Sequence, residues 1–502
     1  MITLKSFVPK MFYTRSLADI WNDWLLPGGL PLLASLILGP ILAALIVRDQ
    51  WVFVLPLTFL IPALILIIRY PFAAIMIWLI VLPFFPFIGE YKYLYYAFHR
   101  VLIPFVFGLT ILARAFKVKN YQPMHFKWID WFLIVYGAMV IVWILFTGYN
   151  QKVMMFLYDR SLVPFMAYFL IRLLSPNEQA LKRLVGVMLF LALAEIVIGL
   201  VGWYVPQALP QIWISRLVGD RVVGTFSQSE VYGSMLMYCL VFLYHYAMNI
   251  KKGIVRTFLI LTFGVGMVCI FFTFTRVCWV AGLFTLVGLL FLYPRPTFLL
   301  ISIFLPIMVI LGATVMTDEI GHAHERLNSQ ESAQGRMVMA YAGQQMFLAK
   351  PLLGWGYNQY DNYDWRFMQR VNDTTPTKWQ VQKGTSHNTF LTILAETGLV
   401  GFILYFLPLV WWFGLSLRVL PRLPRTGFWS WRLLVVAWLP IIFQLITGQT
   451  VDYRFFLIPL TMMWLILGLI ASIVQTYLNP DQPDQLNVPE PIRLKTSLQA
   501  QG

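Results

Sequence analysis

Long runs of apolar side chains, separated by short polar loops, constrain what this chain can fold into more than any other feature. A helix needs about 20 apolar residues to cross roughly 30 Å of hydrocarbon. We count fourteen runs of this kind, which predicts about 12–14 transmembrane helices. The runs lie at 29–47, 51–68, 70–88, 98–113, 129–147, 154–174, 183–204, 231–248, 255–275, 277–293, 296–316, 387–417, 431–447 and 455–477.

The uniform hydrophobicity of these runs decides the type of secondary structure. In lipid the backbone must satisfy its own hydrogen bonds, so only helices and closed barrels span a bilayer. Barrel strands are short and alternate apolar with polar residues, whereas these runs are long and apolar throughout. Hydrophobic residues make up 59% of the 502 residues and charged residues 12%, which is typical of a chain that prefers lipid to water. The sequence predicts an all-α, polytopic membrane protein.

Basic residues in the loops predict the orientation of the helices, because cytoplasmic loops carry an excess of Lys and Arg. Strongly basic loops alternate along the chain with loops that have few basic residues. The segments predicted to be cytoplasmic are the N-terminus, 114–127, 172–183, 249–256 and 418–432. The formal net charge of +15 then follows mostly from membrane topology, so no nucleic-acid partner is predicted.

This topology divides the chain into five segments. Residues 1–28 form a cytoplasmic N-terminal segment, 29–316 hold transmembrane helices 1–11, and 317–386 form a large loop with short helices that faces outward. Residues 387–477 hold transmembrane helices 12–14. Residues 478–502 are rich in Pro, Gln and Asp and are predicted to be a disordered cytoplasmic tail.

Ionisable side chains concentrate at the predicted outer ends of the helices, where their burial is costly and indicates a function. The group consists of Arg160, Arg216, Arg221, Arg276, Arg336, His387, Asp452 and Arg454. Any single arginine is equally well explained by snorkelling to the interface or by an ion pair. Their concentration on the outer side runs against the positive-inside rule, so it predicts a cationic cleft for an anionic ligand. The forked donors of arginine favour phosphate.

The stretch SHNTFLTILAETGLVG (386–401) places a histidine at the outer end of an apolar helix. At 100° per residue, Gly398 returns to within about 20° of the His387 face, and Gly401 lies about 40° to the other side. Small residues let a neighbouring helix approach closely in a membrane, so we predict a histidine at the mouth of a tightly packed helix pair. Glu396 points roughly opposite and is predicted to contact other helices. The alternative is that His387 only caps the start of the helix.

A predicted helix and a glycine turn precede this histidine. SAQGRMVMAYAGQQMFLAK (332–350) predicts a mildly amphipathic helix that carries Arg336 and stops at Pro351. Gly354 and Gly356 follow in a turn whose backbone amides could line an anion site. Considered alone, this turn is more simply interpreted as a plain loop.

Four short stretches occur in an order that is typical of one family of membrane enzymes. RVVGTF (221–226) resembles an Arg-x-x-Gly-x-Phe stretch, and TFTRVCWVAG (273–282) resembles a Thr-x-Ser/Thr-Arg turn. GRMVMAYAGQQMFLAKPLLGWGYNQY (335–360) is similar to an Arg…Met-Phe…Pro-Leu-Leu-Gly-x-Gly block, and His387 with Gly398 reproduces a His-x10-Gly spacing. These stretches resemble the O-antigen ligase and O-antigen polymerase superfamily of bacterial envelope glycosyltransferases. The last two are the most specific.

The resemblance implies a definite reaction. Such enzymes transfer a glycan from a polyprenyl pyrophosphate carrier to a lipid or glycan acceptor at the periplasmic face of the inner membrane, and no metal or other cofactor is expected. It implies that His387 is the general base and that the pyrophosphate is bound by Arg221, Arg276 and Arg336. The supporting positions are Arg160, Gly354, Gly356, Glu396, Gly398 and Arg454. The implied partners are the carrier-linked glycan, the acceptor and the bilayer.

The sequence leaves other functions open. Ser227-Gln228-Ser229-Glu230 stands where the family usually has Asn-Pro-Asn, so the role of this loop is undecided. A polymerase of the same superfamily differs only in what occupies the acceptor site, although the His-x10-Gly spacing favours a ligase. An anion transporter, for example for bicarbonate, would need ionisable residues through the middle of the membrane and paired broken helices. A non-catalytic anchor would leave His387 and the outer arginines without a role.

Overall fold

The computed structural model of the protein describes most of the chain. The described residues are 67–85, 92–115, 126–148, 150–210, 213, 221–226, 228–314, 331–368 and 386–478, with the isolated positions 36, 40, 43, 44 and 47. The predicted segment 1–28, most of the runs 29–47 and 51–68, and nearly all of the predicted tail 478–502 lie outside these residues.

Every regular element in these described ranges is helical. The main helices are α1 (Pro71–Val81), α2 (Lys92–Ala115), α3 (Asp130–Phe146), α4 (Gln151–Leu174), α5 (Glu178–Tyr204), α6 (Ser229–Asn249), α7 (Gly253–Phe271), α8 (Arg276–Leu292), α9 (Pro294–Thr314), α10 (Glu331–Ala349), α11 (Thr389–Val419), α12 (Trp431–Thr447) and α13 (Leu457–Leu478). Within α4, Tyr158–Leu162 form a wide π-helical turn.

Most of these helices match the predicted apolar runs. Among the described residues, seven helices are long and apolar enough to cross a membrane, namely α2, α4, α5, α6, α7, α11 and α13. Shorter apolar helices are α1, α3, α8 and α12. Each predicted run from 70–88 to 455–477 coincides with a helix. The prediction of an all-α, multi-pass membrane protein is confirmed.

Asparagine side chains define several helix starts. Asn150 accepts hydrogen bonds from the amides of Lys152 and Val153 at 2.9 and 3.3 Å, before α4. Asn177 accepts one from the amide of Ala180 at 2.9 Å, before α5. Such caps satisfy amides that have no partner within the helix. The two caps mark where α4 and α5 begin after the polar segments that separate the apolar runs.

The core of the bundle is built around α6 and α13, which are buried along almost their whole lengths. α13 packs along α4, where the backbone of Gly468 lies so close to the carbonyl of Tyr168 that a Cβ would overlap it. Glycine permits this approach because it has no side chain, and small residues of this kind let membrane helices pack closely. The ring of Trp464 meets that of Phe165 edge to face, with centroids 4.8 Å apart.

A buried ion pair joins α3, α4 and α11 at the end of α4 that is distant from Arg160. Arg172 pairs with Asp130, and both side chains are fully buried. The Tyr168 hydroxyl donates to Asp130 Oδ1 at 2.7 Å and accepts from Trp412 Nε1 at 2.8 Å. Buried charges are tolerated when such hydrogen bonds compensate their lost hydration. The cluster therefore fixes how these three helices pack.

Candidate functional site

Four helix ends come together at one end of the bundle, which we call the site end. α6, α8 and α11 begin here and α12 ends here. The amide of Thr389 donates to the carbonyl of Gly448 at 2.8 Å, and its hydroxyl donates to the carbonyl of Val451 at 2.8 Å. The Tyr453 hydroxyl donates to the carbonyl of Glu230 at 3.1 Å. These bonds tie the starts of α6 and α11 to the segment between α12 and α13.

His387 lies just before α11 rather than on the helix. Its φ of +50° is left-handed, a conformation that is uncommon for residues with a side chain and often marks functional sites. Asn388 caps the helix instead, because its side chain accepts from the amides of Phe390 and Leu391, both at 3.0 Å. The capping role that was the alternative for His387 therefore belongs to its neighbour.

The surroundings of His387 favour the neutral imidazole. Burial lowers the pKa of His387 below its ordinary value of 6.5, and the positive charge of Arg336 lowers that pKa further. The negative charges of Glu230 and Asp452 act in the opposite direction. The net lowering leaves an imidazole that can accept a proton at neutral pH.

Arg336 and Glu230 form an ion pair beside this imidazole. Arg336 Nη2 of α10 lies 3.3 Å from Glu230 Oε1 at the start of α6. The Glu230 side chain is buried, at 3% exposed, whereas the Arg336 side chain is 37% exposed and therefore accessible to a ligand. Ser229 Oγ donates to Glu230 Oε2 at 3.2 Å, and Arg221 Nη1 donates to Ser229 Oγ at 3.5 Å. Two of the three predicted anion-binding arginines thus meet at the start of α6.

Arg276, the third predicted arginine, begins α8 at the same end of the bundle. Its side chain is exposed, and the preceding residue, Thr275, shares a hydrogen bond of 2.8 Å with the hydroxyl of Ser229. The start of α8 is thereby tied to the start of α6. Arg216, which the sequence placed in the same outer group, lies outside the described residues.

The stretch RVVGTF is held in place by a buried carboxylate of α5. Glu195 accepts from the amide of Thr225 at 2.9 Å and from its hydroxyl at 2.7 Å. Gly224 has a φ of +55°, and a Cβ there would overlap the Glu195 carboxylate. The amide of Val222 donates to the carbonyl of Phe272 at 3.1 Å. Glycine is thus required for a loop that ends close to α6 and carries Arg221.

Arg160, Glu396 and Arg454, predicted as supporting residues, form a buried network. Arg454 Nη1 lies 2.6 Å from Glu396 Oε2, and Arg454 Nη2 lies 2.8 Å from Asp452 Oδ2. Arg160 Nη1 donates to the carbonyl of Arg454 at 2.6 Å. None of these side chains is more than a tenth exposed, so they stabilise the site end rather than line an open cleft. Asp452 also acts on the charge of His387.

The glycine turn after α10 packs against α11 and gives its amides to the chain itself. The amides of Trp355 and Gly356 donate to the carbonyls of Ala395 and Glu396 at 3.0 and 2.7 Å. Gly354 has a φ of +68°, and a Cβ on it would overlap the backbone of Glu396. The expectation that these amides line an anion site is wrong, because α11 already accepts them.

Gly398 breaks α11 instead of continuing it. Its φ of +64° and ψ of −169° are not helical, and a Cβ would overlap the carbonyl of Leu352, just before the glycine turn. The prediction that Gly398 packs against a helix on the His387 face is therefore wrong, since the helix starts after His387 and is interrupted at Gly398. At Gly401 a Cβ would overlap the Thr397 side chain of α11 itself, and it would lie 3.2 Å from Met139 of the neighbouring helix α3.

The segment from α7 to the break in α11 contains Arg276, Arg336 and His387 in one region of the bundle. Residues 258–406 match the family model described as O-antigen ligase. The resemblance predicted from the sequence is confirmed for this segment. The comparison with curated proteins found no match for the chain.

Three buried carboxylates near the site lie outside the segment that matches the family model. Asp452 belongs to the outer group named from the sequence and Glu230 to the loop of undecided role, whereas Glu195 was missed. Glu195 and Glu230 precede that segment and Asp452 follows it, yet all three are buried at or near the site end. Glu195 could have been identified from the sequence, because an ionisable residue within a long apolar run is costly to bury and needs a specific partner. The pairing of Glu230 with Arg336 could not have been identified in this way, because 106 residues separate the two.

The segment that matches the O-antigen ligase model and these carboxylates together make a site suited to acid–base and anion chemistry. One imidazole can accept a proton, and nearby guanidinium groups can stabilise negative charge. Among the described residues, no group of three or more His, Cys, Asp or Glu side chains could hold a metal ion.

Proposed function

We propose that the protein transfers a glycan from a polyprenyl pyrophosphate carrier to an acceptor hydroxyl, as an O-antigen ligase-like glycosyltransferase. The observation that carries this proposal is the convergence of His387, Arg336 and Glu230 at the site end, with Arg221 beside them. The family match to residues 258–406 supports the same reaction class. Arginine suits the diphosphate because its planar fork matches phosphate oxygens.

In the proposed reaction, His387 takes the proton from the acceptor hydroxyl as its oxygen attacks the anomeric carbon. The bond between that carbon and the pyrophosphate oxygen breaks, and the carrier pyrophosphate leaves with the electron pair. Arg336, Arg221 and Arg276 stabilise the charge on the leaving group. Direct displacement inverts the configuration at the anomeric carbon. Pyrophosphate is already a good leaving group, so hydroxyl activation and charge stabilisation are the tasks left to the protein.

Glu230 holds Arg336 when no substrate is bound. Its buried carboxylate lies 3.3 Å from the guanidinium and repels a diphosphate, so the substrate competes with Glu230 for Arg336. The same carboxylate favours a protonated His387. Glu230 therefore both weakens anion binding and increases the basicity of the imidazole, which helps the site to release its pyrophosphate product after proton transfer.

The site end faces away from the cytoplasm in this proposal, at the periplasmic face of the inner membrane, and both termini are cytoplasmic. The basic loops at the opposite ends of the helices support this orientation. Examples are Lys251 and Lys252 between α6 and α7, Arg256 in the first turn of α7, Arg418 in the last turn of α11 and Arg422 just after α11.

A transfer assay with purified protein tests the proposal. Wild-type protein, Arg336→Ala and a matched control, Arg366→Ala, are given a polyprenyl pyrophosphate glycan and candidate acceptors. Arg366 is an exposed arginine of the same extramembrane segment whose guanidinium stacks on Tyr363 and Trp365. We expect glycosylated acceptor from wild type and control, and roughly 10²–10³-fold slower transfer by Arg336→Ala, in line with the loss of one transition-state donor.

The acceptor used distinguishes the related functions. Transfer to a second carrier-linked glycan, and to no other acceptor, would identify a polymerase. Equal rates in Arg336→Ala and Arg366→Ala would contradict the role of Arg336. If no acceptor is glycosylated while the protein carries bicarbonate into liposomes, the transporter alternative is correct.

A further inference from the structure

Leucines at the end of α10 form an apolar surface outside the bundle. Leu348, Leu352 and Leu353 are 58%, 65% and 61% exposed. They surround Pro351, which ends the helix and is exposed as well. Grouped exposed leucines of this kind mark an interaction surface rather than a solvated turn. We call residues 348–353 the leucine turn.

Backbone hydrogen bonds connect the leucine turn to the membrane-crossing helix α11. The amide of Leu399 donates to the carbonyl of Pro351 at 2.8 Å, and the amide of Val400 donates to the carbonyl of Leu352 at 3.2 Å. Leu399 and Val400 are themselves 43% and 39% exposed. The break at Gly398 provides these two amides, because they have lost their helical acceptors. The apolar surface of the leucine turn therefore continues directly from that of α11.

Contacts with a second helix, α3, also place the leucine turn beside a lipid-facing apolar surface. The backbone of Gly356, just after the leucine turn, is packed on the ring of Trp143 in α3. Trp143 lies in the last turn of this apolar helix, next to Leu145 and Phe146, which are 58% and 87% exposed. Side chains so apolar and so exposed at the end of a short transmembrane helix face lipid near the membrane surface.

We propose that the leucine turn is inserted into the lipid bilayer and anchors α10 to the membrane at the site end. Lipid is a better candidate than a protein partner for covering this turn, because the apolar surface of the turn is continuous with the lipid-facing surfaces of α11 and α3. Lys350 lies among the leucines with its ammonium 4.1 Å from the centre of the Trp355 ring. A lysine and a tryptophan at the boundary of an apolar patch are typical of the headgroup region, where the ammonium meets lipid phosphates. The anchor does not depend on which reaction the site performs.

Spin labels measure whether the leucine turn is in lipid. Single cysteines replace Leu352 and Leu353 in the full-length protein, whose three native cysteines are all buried, and the labelled protein is reconstituted in phospholipid vesicles. The relaxation of each spin label is measured separately with oxygen, which concentrates in hydrocarbon, and with a water-soluble nickel chelate. Val400→Cys on α11 serves as the lipid-facing control. Asn362→Cys, an exposed position beyond the turn, serves as the control outside the bilayer.

We expect oxygen to relax the labels at positions 352 and 353 more strongly than the nickel chelate does, as at position 400. At position 362 we expect the nickel chelate to have the stronger effect. Stronger relaxation by the nickel chelate than by oxygen at both leucine positions would overturn the proposal. Protection of both labels from both reagents would also overturn it, because it would indicate a protein partner or a second copy. A measurement on the unmodified chain complements these variants. Lipids with a photoreactive group in the upper acyl chain should form adducts within 348–353, and adducts in α3 and α11 without any in this turn would contradict the anchor.

Discussion

At the scale of single residues, the proposal depends on two opposite charges that act on one imidazole. Arg336 lowers the pKa of His387, and Glu230 raises it. The base must be neutral to accept a proton, so kcat/KM rises with pH through the pKa of His387 in the free protein. Burial and Arg336 place that pKa below 6.5. The acidic limb of the wild-type profile should therefore lie below pH 6.5.

Two substitutions should move this limb in opposite directions. Glu230→Gln removes a charge that raises the pKa of His387, so the limb should shift to lower pH. Arg336→Ala removes a charge that lowers this pKa, so the limb should shift to higher pH even though the maximal rate falls. Profiles of kcat/KM between about pH 4.5 and 8.5 measure both shifts. Shifts of the same sign, or the absence of a shift in both variants, would contradict this account of the two charges around the base.

The sequence located part of this site for a physical reason. His387 and Arg276 stand next to apolar runs, where an ionisable side chain is conspicuous, and Arg336 was identified by the resemblance of its stretch to the family pattern. Their partners could not be predicted, because an ion pair between α6 and α10 depends on how helices pack over 106 intervening residues. Helical periodicity reports on one helix at a time.

At the scale of elements, the loop that carries Arg221 depends on Glu195 in α5. Glu195→Ala leaves the amide and hydroxyl of Thr225 without their acceptor. We expect a loss of about 1–3 kcal/mol in the free energy of unfolding and a higher KM for the carrier-linked glycan, with an unchanged pH profile. The control is Glu178→Ala on the same helix, whose exposed pair with Lys182 should contribute at most about 1 kcal/mol. Thermal unfolding in detergent and steady-state kinetics test this, and equal effects of the two variants would contradict it.

The break in α11 makes a second prediction at this scale. Gly398→Ala places a Cβ in a conformation open almost only to glycine and against the carbonyl of Leu352, which should destabilise the protein by about 1–3 kcal/mol or more. Gly414→Ala is the matched control, because a Cβ there meets no atom within 4 Å. Its effect should be neutral or slightly stabilising. Thermal unfolding compares them, and a fully stable Gly398→Ala would mean that α11 is continuous.

This break could not be read from the sequence. A glycine in an apolar run is equally compatible with close helix packing and with an interrupted helix. At Gly401 a Cβ would overlap the Thr397 side chain of α11 itself and would also lie 3.2 Å from Met139 of α3, so both the break and helix packing restrict this position. At Gly398 the second interpretation applies, because carbonyls of the leucine turn accept the amides of Leu399 and Val400 in place of the helical acceptors.

At the scale of the whole molecule, the fold followed from the sequence because lipid imposes one strong rule. Apolar runs long enough to span the bilayer must be helical, and the helices from α1 to α13 that cross or enter it match such runs. The arrangement of those helices did not follow, since lipid-facing and buried apolar residues have the same composition. The buried pair of Arg172 and Asp130 is an example of a contact that only packing reveals.

The most direct test of the account is the rate of glycan transfer by His387→Ala with a saturating polyprenyl pyrophosphate glycan. If the imidazole is the base, transfer should slow by about 10²–10⁴-fold, while the variant still binds the carrier through its arginines. Transfer by His387→Ala at the wild-type rate, with the same acceptor and the same pH dependence, would contradict the account.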